Sequence, residues 1–228
     1  MRVISKARLV AFWQAQPAAE RPLRAWYQDA AHAQWQSPQD NRQHCAGASF
    51  LAGNRVVFDI KGDHYRLVVA VAYRQGALFI KFVGTHAQYD AINATIGART
   101  ISDDPFALQP IRTRADHEAA LAEAERYFDA PEEPDPDSAE GAHFDALVTL
   151  IEAYERKRFS MARPSPIEAI KFRIEQQGLT PKDLQPMIGG LNRVYEVLAG
   201  KRPLSMAMVR RLHQQLGIPA ESLIGGVA

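Results

Sequence analysis

Sequence that favours β-strands is confined to one short part of this chain. Three runs rich in valine, isoleucine and aromatic residues occupy positions 55–60, 65–73 and 77–83, with short polar turns between them. Consecutive strands joined by short turns predict an antiparallel meander. After about residue 97 no strand pattern remains, and the apolar spacing becomes helical. The chain is therefore predicted to hold an α+β part followed by an all-α part.

The segment before the meander has helical spacing. Over residues 3–35 apolar side chains recur every three or four positions, and Pro17 and Pro22 divide the segment into two helices. Pro38 and Asp40 can begin a further short helix. Two helices followed by a meander predict a small α+β domain over residues 1–98.

Helices account for the rest of the chain. Residues 99–113 are irregular and are predicted to be a linker, which leaves residues 114–228 as the second domain. Thr113 can cap a helix over 115–128, and a helix over 143–157 has one apolar face. Shorter helices are predicted at 167–177, 180–188, 191–198 and 205–216.

The charge of the chain changes sign twice along its length. Residues 1–98 carry 11 Lys+Arg and 6 Asp+Glu, residues 99–159 carry 7 and 15, and residues 160–228 carry 9 and 5. Two basic regions predict polyanionic partners. The acidic segment between them is predicted to pack on the basic N-terminal domain, either in the same chain or exchanged within a dimer.

Several classes of protein are disfavoured by the sequence. A single cysteine, Cys45, allows no intrachain disulfide, and no run of 18 apolar residues or secretory leader is present, so we expect a cytoplasmic protein. Histidines lack the spacing from cysteines and carboxylates that zinc sites use. No phosphate-binding glycine loop occurs either, so we expect neither a metal nor a cofactor.

Residues 178–202 have the pattern of a helix-turn-helix. Thr180 and Asp183 can cap the first helix, Gly189 allows a tight turn, and Val194 and Val197 form the buried side of the second helix. The residues predicted to contact DNA are Thr180, Asn192, Arg193, Tyr195, Lys201 and Arg202. The alternative is a plain four-helix interaction module with a basic solvated face.

Residues 108–226 resemble the HigA antitoxins, a branch of the Xre-type helix-turn-helix family. The resemblance rests on PIRTRADHEAAL at 110–121, LVTLIEAY at 147–154, PIEAIKFRIEQQGLT at 166–180, GKRPL at 200–204 and IPAESLI at 218–224. It implies a homodimer, formed through the C-terminal half, on a palindromic operator. Where the family usually has Ser-Arg-Ser after the turn glycine, this chain has Gly190, Leu191 and Asn192, with Tyr195 at a later serine position.

Basic and hydroxyl-bearing residues collect on and after the meander, namely Lys61, His64, Arg66, Lys81, His86 and Tyr89. Such a set can cut RNA without a metal. A base takes the 2′-OH proton, cations stabilise the phosphorane and an acid protonates the leaving 5′-oxygen. The alternative is that these residues are solvated or form ion pairs, with Thr85 as a helix cap.

Residues 1–97 resemble the HigB toxins of the RelE-like superfamily. The resemblance rests on LRAWY at 23–27, AQW at 33–35, NRVVFDIKG at 54–62, YRLVVAVAY at 65–73 and VGTHAQYD at 83–90. It implies an mRNA endonuclease (mRNA interferase) that works at the ribosome, with Lys61, Arg66, His86 and Tyr89 as catalytic residues. His64 and Lys81 are predicted to contact the RNA, and Asp90 is implied to be structural. Gln88 replaces the family's usual glutamate and Asp63 its usual asparagine.

The two resemblances together predict a toxin–antitoxin fusion, natural or engineered, in which the second half restrains the first and represses its own operon. Loss of restraint would then need proteolysis, for which residues 99–113 or 131–141 are the candidate sites. One alternative is a DNA-binding repressor with a catalytically inactive toxin-like domain, which the changes at Gln88 and Asp63 favour. Another is a structural interaction module with neither activity.

Overall fold

A computed structural model describes residues 1–62, 64–92 and 108–224. Most of the predicted linker and Asp63 lie outside these residues, as do the last four positions. Up to residue 92 the strands are β1 (Arg2–Ile4), β2 (Ser49–Leu51), β3 (Arg55–Ile60), β4 (Tyr65–Ala72) and β5 (Ala77–Thr85). The helices there are α1 (Ala7–Ala15), α2 (Glu20–His32), α3 (Pro38–His44) and α4 (His86–Ile92), with a 3₁₀ turn at Pro17–Ala19.

The sheet is five-stranded, in the order β1-β5-β4-β3-β2. The predicted antiparallel meander is its centre, since β4 pairs with both β3 and β5. The prediction of helix over residues 3–35 is wrong at its start, because Arg2–Ile4 forms a strand parallel to residues 77–79 of β5. The sheet is therefore mixed rather than antiparallel throughout.

One face of the sheet is covered by the N-terminal helices. Trp26 of α2 packs edge-on against Phe58 of β3, with ring centroids 5.6 Å apart. Phe12 of α1 meets Tyr65 of β4 in the same geometry at 5.4 Å. Apolar side chains that alternate along each strand supply the rest of this core, as a half-buried sheet requires.

Helices form all the regular structure described in residues 108–224. They are α5 (Arg114–Asp129), α6 (Ala139–Arg158), α7 (Pro166–Gln177), α8 (Gln185–Ile188), α9 (Leu191–Leu198), α10 (Met206–Leu216) and α11 (Ala220–Ile224), with a 3₁₀ turn at Pro181–Leu184. Thr113 caps α5 and Ser165 caps α7 through reciprocal capping boxes. The short α11 is an addition to the predicted helices.

The second face of the sheet is covered by α5 and α6. Phe128 of α5 packs on Phe79 of β5 at 5.3 Å and edge-on against Phe144 of α6 at 5.2 Å. Ion pairs surround this core, with Asp129 2.7 Å from Lys81 and Asp145 2.6 Å from Arg2. The acidic segment thus packs on the basic N-terminal domain of its own chain.

The last five helices enclose a separate core, and α7 belongs to two cores at once. Ile170 of α7 is fully buried among α8, α9 and α10. Two residues further on, Phe172 is buried in the core beneath the N-terminal helices. Helix α7 therefore contributes buried side chains to both hydrophobic cores. Among the described residues, no helix is both long enough and apolar enough to cross a bilayer.

Candidate active site

The four predicted catalytic residues lie at one end of the meander. Arg66 pairs across the sheet with Asp59 on one side and with Gly84 on the other. Lys61 follows the last residue of β3, and His86 follows the last residue of β5 at the same end. Tyr89 is one helical turn further along α4. Strand register therefore gathers residues that lie up to 28 positions apart in the sequence.

The turn between β3 and β4 has an unusual backbone. Lys61 and Gly62 both have positive φ, at 59° and 61°. The Lys61 side chain and the His64 ring are exposed. His64 Nδ1 lies 2.8 Å from the Lys61 carbonyl, to which it donates. The turn thus presents a lysine ammonium and an imidazole ring to solvent.

Among the cations of the four predicted catalytic residues, Arg66 is the least exposed, with 12% of its side chain accessible. Its guanidinium Nη1 lies 2.9 Å from Asp59 Oδ1 across the β3–β4 ladder. The sequence suggested that an arginine on this apolar strand signals an ion pair or an anion site. The structure shows the ion pair, and it fixes the guanidinium at the edge of the candidate site.

A capping box orders the start of α4, which carries His86 and Tyr89. The Thr85 amide donates to Gln88 Oε1 at 2.9 Å, and the Gln88 amide donates to Thr85 Oγ1 at 3.3 Å. The carboxamide of Gln88 therefore accepts the hydrogen bond that the family's glutamate would accept. His86 Nε2 is 3.4 Å from Asp90 Oδ2, and both side chains are exposed.

Lys81 does not join the candidate site. Its ammonium lies under α5, 3.0 Å from Glu125 Oε1 and 2.7 Å from Asp129 Oδ1, with 10% of the side chain exposed. Two carboxylates of α5 hold the ammonium group, and Lys81 is itself the extra residue of a β-bulge, since Val68 pairs with Phe82 and Val69 with Ile80. Lys81 is thus ion-paired rather than free in the structure, and its contact with RNA stays a prediction.

Helix α7 contacts the candidate site directly. Glu175 Oε1 accepts a hydrogen bond from the Gly62 amide at 2.6 Å. Gln176 Nε2 donates to the Asp59 carbonyl at 2.9 Å. Burial raises the pKa of the Glu175 carboxyl, with hydrogen bonds from the turn amides opposing that rise. Sequence reasoning missed both residues, although it singled out the motif that contains them.

A buried ion pair anchors α7 two residues before Glu175. Arg173, 1% exposed, donates to the carboxylate of Asp29 in α2 and, at 3.0 Å, to the carbonyl of His44. Asp29, His44 and Cys45 form the only group of potential metal ligands among the described residues. The guanidinium already pairs with this carboxylate. Burial also raises the pKa of the Cys45 thiol, which favours the neutral form.

All six residues predicted to contact DNA are exposed. Thr180 and Asp183 form the predicted cap, with the Thr180 amide 2.7 Å from Asp183 Oδ2. Gly189 has a φ of 121° between α8 and α9, and Val194 and Val197 are fully buried. A shallow pocket on the outer side of α9 is lined by Gly190, Leu191, Asn192, Arg193, Glu196 and Arg202.

The N-terminal part of this geometry has a match among known families. Residues 19–92 match the model of the HigB_toxin family, the RelE-like toxic component of a toxin–antitoxin system. This part of the chain is similar to the RelE-like toxic components of that family. The matched residues run from the 3₁₀ turn to the end of α4 and include Lys61, Arg66, His86 and Tyr89. The chain matches no curated protein.

Proposed function

We propose that this toxin–antitoxin component is a metal-independent endoribonuclease held inactive by the C-terminal half of its own chain. The observation that carries the proposal is the contact of α7 with the candidate site, where Glu175 binds the turn that bears Lys61. The Arg173–Asp29 pair holds α7 in that position. Single-stranded mRNA at the ribosome is the proposed substrate.

The residues at the end of the meander have the chemistry for transesterification. The ribose 2′-oxygen attacks the adjacent phosphorus, the bond to the 5′-oxygen breaks, and a 2′,3′-cyclic phosphate forms. His86 would take the 2′-OH proton and Tyr89 would protonate the departing 5′-oxygen. Lys61 and Arg66 would stabilise the charge that develops on the phosphorane.

Covalent linkage makes restraint efficient. A partner attached by a short linker acts at an effective concentration on the order of mM, so that a free antitoxin is not needed. Arg2, Arg55 and Lys81 of the toxin half all pair with carboxylates of α5 and α6, which adds contacts far from the site. Release would require cleavage between the halves or loss of the α7 contact.

We further propose that α8 and α9 bind operator DNA as a helix-turn-helix, in a homodimer formed through the C-terminal half. The cap at Thr180, the turn at Gly189 and the exposed Asn192, Arg193 and Tyr195 support this proposal. Repression of its own operon follows from that activity. Lys201 and Arg202 would then contact the phosphate backbone.

A second candidate is a repressor whose toxin-like domain is inactive. The pairing of Arg66 with Asp59 favours it, since a neutralised guanidinium stabilises a phosphorane less than a free one does. The retained capping box at Gln88 favours the active toxin, because the substitution leaves the start of α4 intact.

Growth after induced expression separates these candidates. We expect arrest by residues 1–98 and not by the full chain, with arrest abolished by Lys61→Ala in the fragment. Co-expression of residues 108–228 should restore growth. A soluble fragment that leaves growth unchanged would favour the repressor. Because the fragment lacks α5 and α6 over one sheet face, the full chain with Arg173→Ala serves as a second test and should slow growth.

A further inference from the structure

We propose that the backbone amides of the Lys61–Gly62 turn form a subsite for an RNA phosphodiester, which the carboxylate of Glu175 fills in the intact chain. This inference rests on the proposed nuclease function. The Gly62 amide would bind a phosphate oxygen of the RNA, and the Glu175 carboxylate occupies that position in the intact chain.

The turn geometry supplies the donor. Two consecutive residues with positive φ direct the Gly62 amide out of the hairpin and away from the sheet ladder. That amide donates to Glu175 Oε1 at 2.6 Å, a short distance that is typical of a charge-assisted hydrogen bond. Amides exposed in tight turns bind phosphate oxygens by the same interaction.

Burial raises the pKa of Glu175 overall, but the turn amides and the His64 ring lower it and so favour an anion in this position. The exposed Lys61 side chain belongs to the same turn, and the exposed His64 ring lies close enough to lower the pKa of Glu175. Asp59 acts in the opposite direction and raises that pKa, while Arg66 offsets its charge through their ion pair. A phosphodiester carries the same single negative charge as the carboxylate it would replace.

Packing alone does not require a charge here. Desolvation of the half-buried Glu175 carboxylate raises its pKa, so the charged form carries a desolvation cost. A glutamine at this position would offer an equivalent acceptor oxygen to Gly62 without the cost of desolvating a charge. The neighbouring Gln176 shows that a neutral side chain can hold α7 to β3, since its amide donates to the Asp59 carbonyl. The charge of Glu175 therefore fits the replacement of a phosphate better than it fits a structural contact.

The test compares three full-chain variants for binding of a fluorescein-labelled RNA octamer with 2′-O-methyl riboses, which cannot be cleaved. Glu175→Ala empties the subsite, whereas Glu175→Gln removes the charge but keeps the acceptor. Glu133→Ala is the matched control, because Glu133 also binds backbone amides, those of Tyr73 and Arg74, away from the site.

We expect Glu175→Ala to bind the octamer at least about tenfold more tightly than wild type, since the Gly62 amide is then free to donate to a phosphate oxygen. Glu175→Gln should gain less than the alanine variant, because its amide oxygen still accepts from Gly62, and Glu133→Ala should stay near wild type. Equal gains for Ala and Gln would show a general charge effect and overturn the subsite, as would no gain at all. Glu175→Ser replaces the alanine variant if that variant does not fold.

A second measurement observes the turn directly. In Glu175→Ala the amide resonance of Gly62 should shift on addition of the octamer, and that of Gly76 in the opposite hairpin should not. A stationary Gly62 resonance overturns the proposal. Both readouts are independent of cleavage, so an inactive toxin domain leaves them unchanged. Growth arrest by residues 1–98 together with a stationary Gly62 would contradict the subsite alone.

Discussion

Arg173 in α7 donates to the carboxylate of Asp29 in α2, although 144 positions separate the two residues. The Arg173 side chain is 1% exposed and that of Asp29 is 9% exposed, so water contributes little to either charge. The pair joins the helical half to the toxin-like domain two residues before Glu175 in α7. Its integrity therefore determines whether Glu175 stays on the Lys61–Gly62 turn.

Removing one partner of this pair should be costly. Arg173→Ala leaves the buried Asp29 carboxylate with only the His44 ring beside it, and removing one partner of a buried ion pair lowers the free energy of unfolding by about 3–5 kcal/mol. Urea denaturation measures this loss. Arg156→Ala is the control, because Arg156 forms an exposed pair with Glu152 within α6, and it should change stability by less than about 0.5 kcal/mol. Similar effects for both variants would contradict the anchoring role of Arg173.

The Glu175 carboxyl should give stability a specific pH dependence. Its pKa is raised above 4.5 in the folded chain, so its contribution to stability is complete below pH 4.5 and is lost as pH rises through the folded pKa. Glu175→Gln does not titrate. The free energy of unfolding of wild type, minus that of Glu175→Gln, should therefore fall from pH 4 to pH 8 in urea denaturation. A difference that rises with pH would mean that the folded chain favours the charged carboxylate.

Gly141 at the start of α6 should tolerate no side chain. A Cβ atom there would lie 2.0 Å from the Asp135 carbonyl oxygen, so the loop that contains Asp135 must move away from the helix. We expect Gly141→Ala to lower the free energy of unfolding by about 1–3 kcal/mol and to speed hydrogen exchange at Tyr73 and Arg74, whose amides Glu133 binds. Gly190→Ala is the control, since a Cβ atom there meets no atom within 4 Å. Unchanged exchange in Gly141→Ala would show that the loop adapts.

Binding to a mixed-sequence DNA duplex should depend on the surface beyond α9. Lys201→Ala should reduce the slope of log affinity against log salt by about 0.9, the value for one phosphate contact. Glu196→Gln frees the Arg202 guanidinium, now 2.6 Å from that carboxylate, and should strengthen binding. Lys157→Ala, an exposed change at the end of α6, should have no effect. If Lys157 and Lys201 contribute equally, the proposed DNA surface is wrong.

Local patterns predicted most of the elements but not all of the sheet. The meander, α5 and the cap at Thr113 follow from nearby residues, and the sequence placed each of them. β1 and β2 are three residues long, and β1 is a strand only because β5 lies beside it. Such pairing between residues 75 positions apart leaves no periodic signal.

The candidate site was predictable in part for the same reason. Lys61 and His86 belong to motifs and follow strand ends, so their proximity follows from the meander. Arg173 and Glu175 carry no local sign that they face another domain. Lys81 looked like a free cation because the sequence does not show that α5 would lie over it. The family match covers residues 19–92 and so does not extend to these contacts.

The position of α7 in the chain has a consequence for synthesis. Because Phe172 packs in the core beneath the N-terminal helices, that core receives its last side chain only after α7 has been synthesised. This helix follows the end of β5 by roughly 90 residues, which at about 5–20 residues per second is a delay of about 5–18 s. For that interval every new molecule displays Lys61 and His86 without Glu175 opposite them. Under the proposed function, restraint by the C-terminal half would therefore begin only late in the synthesis of each chain, beside the ribosome that is making it.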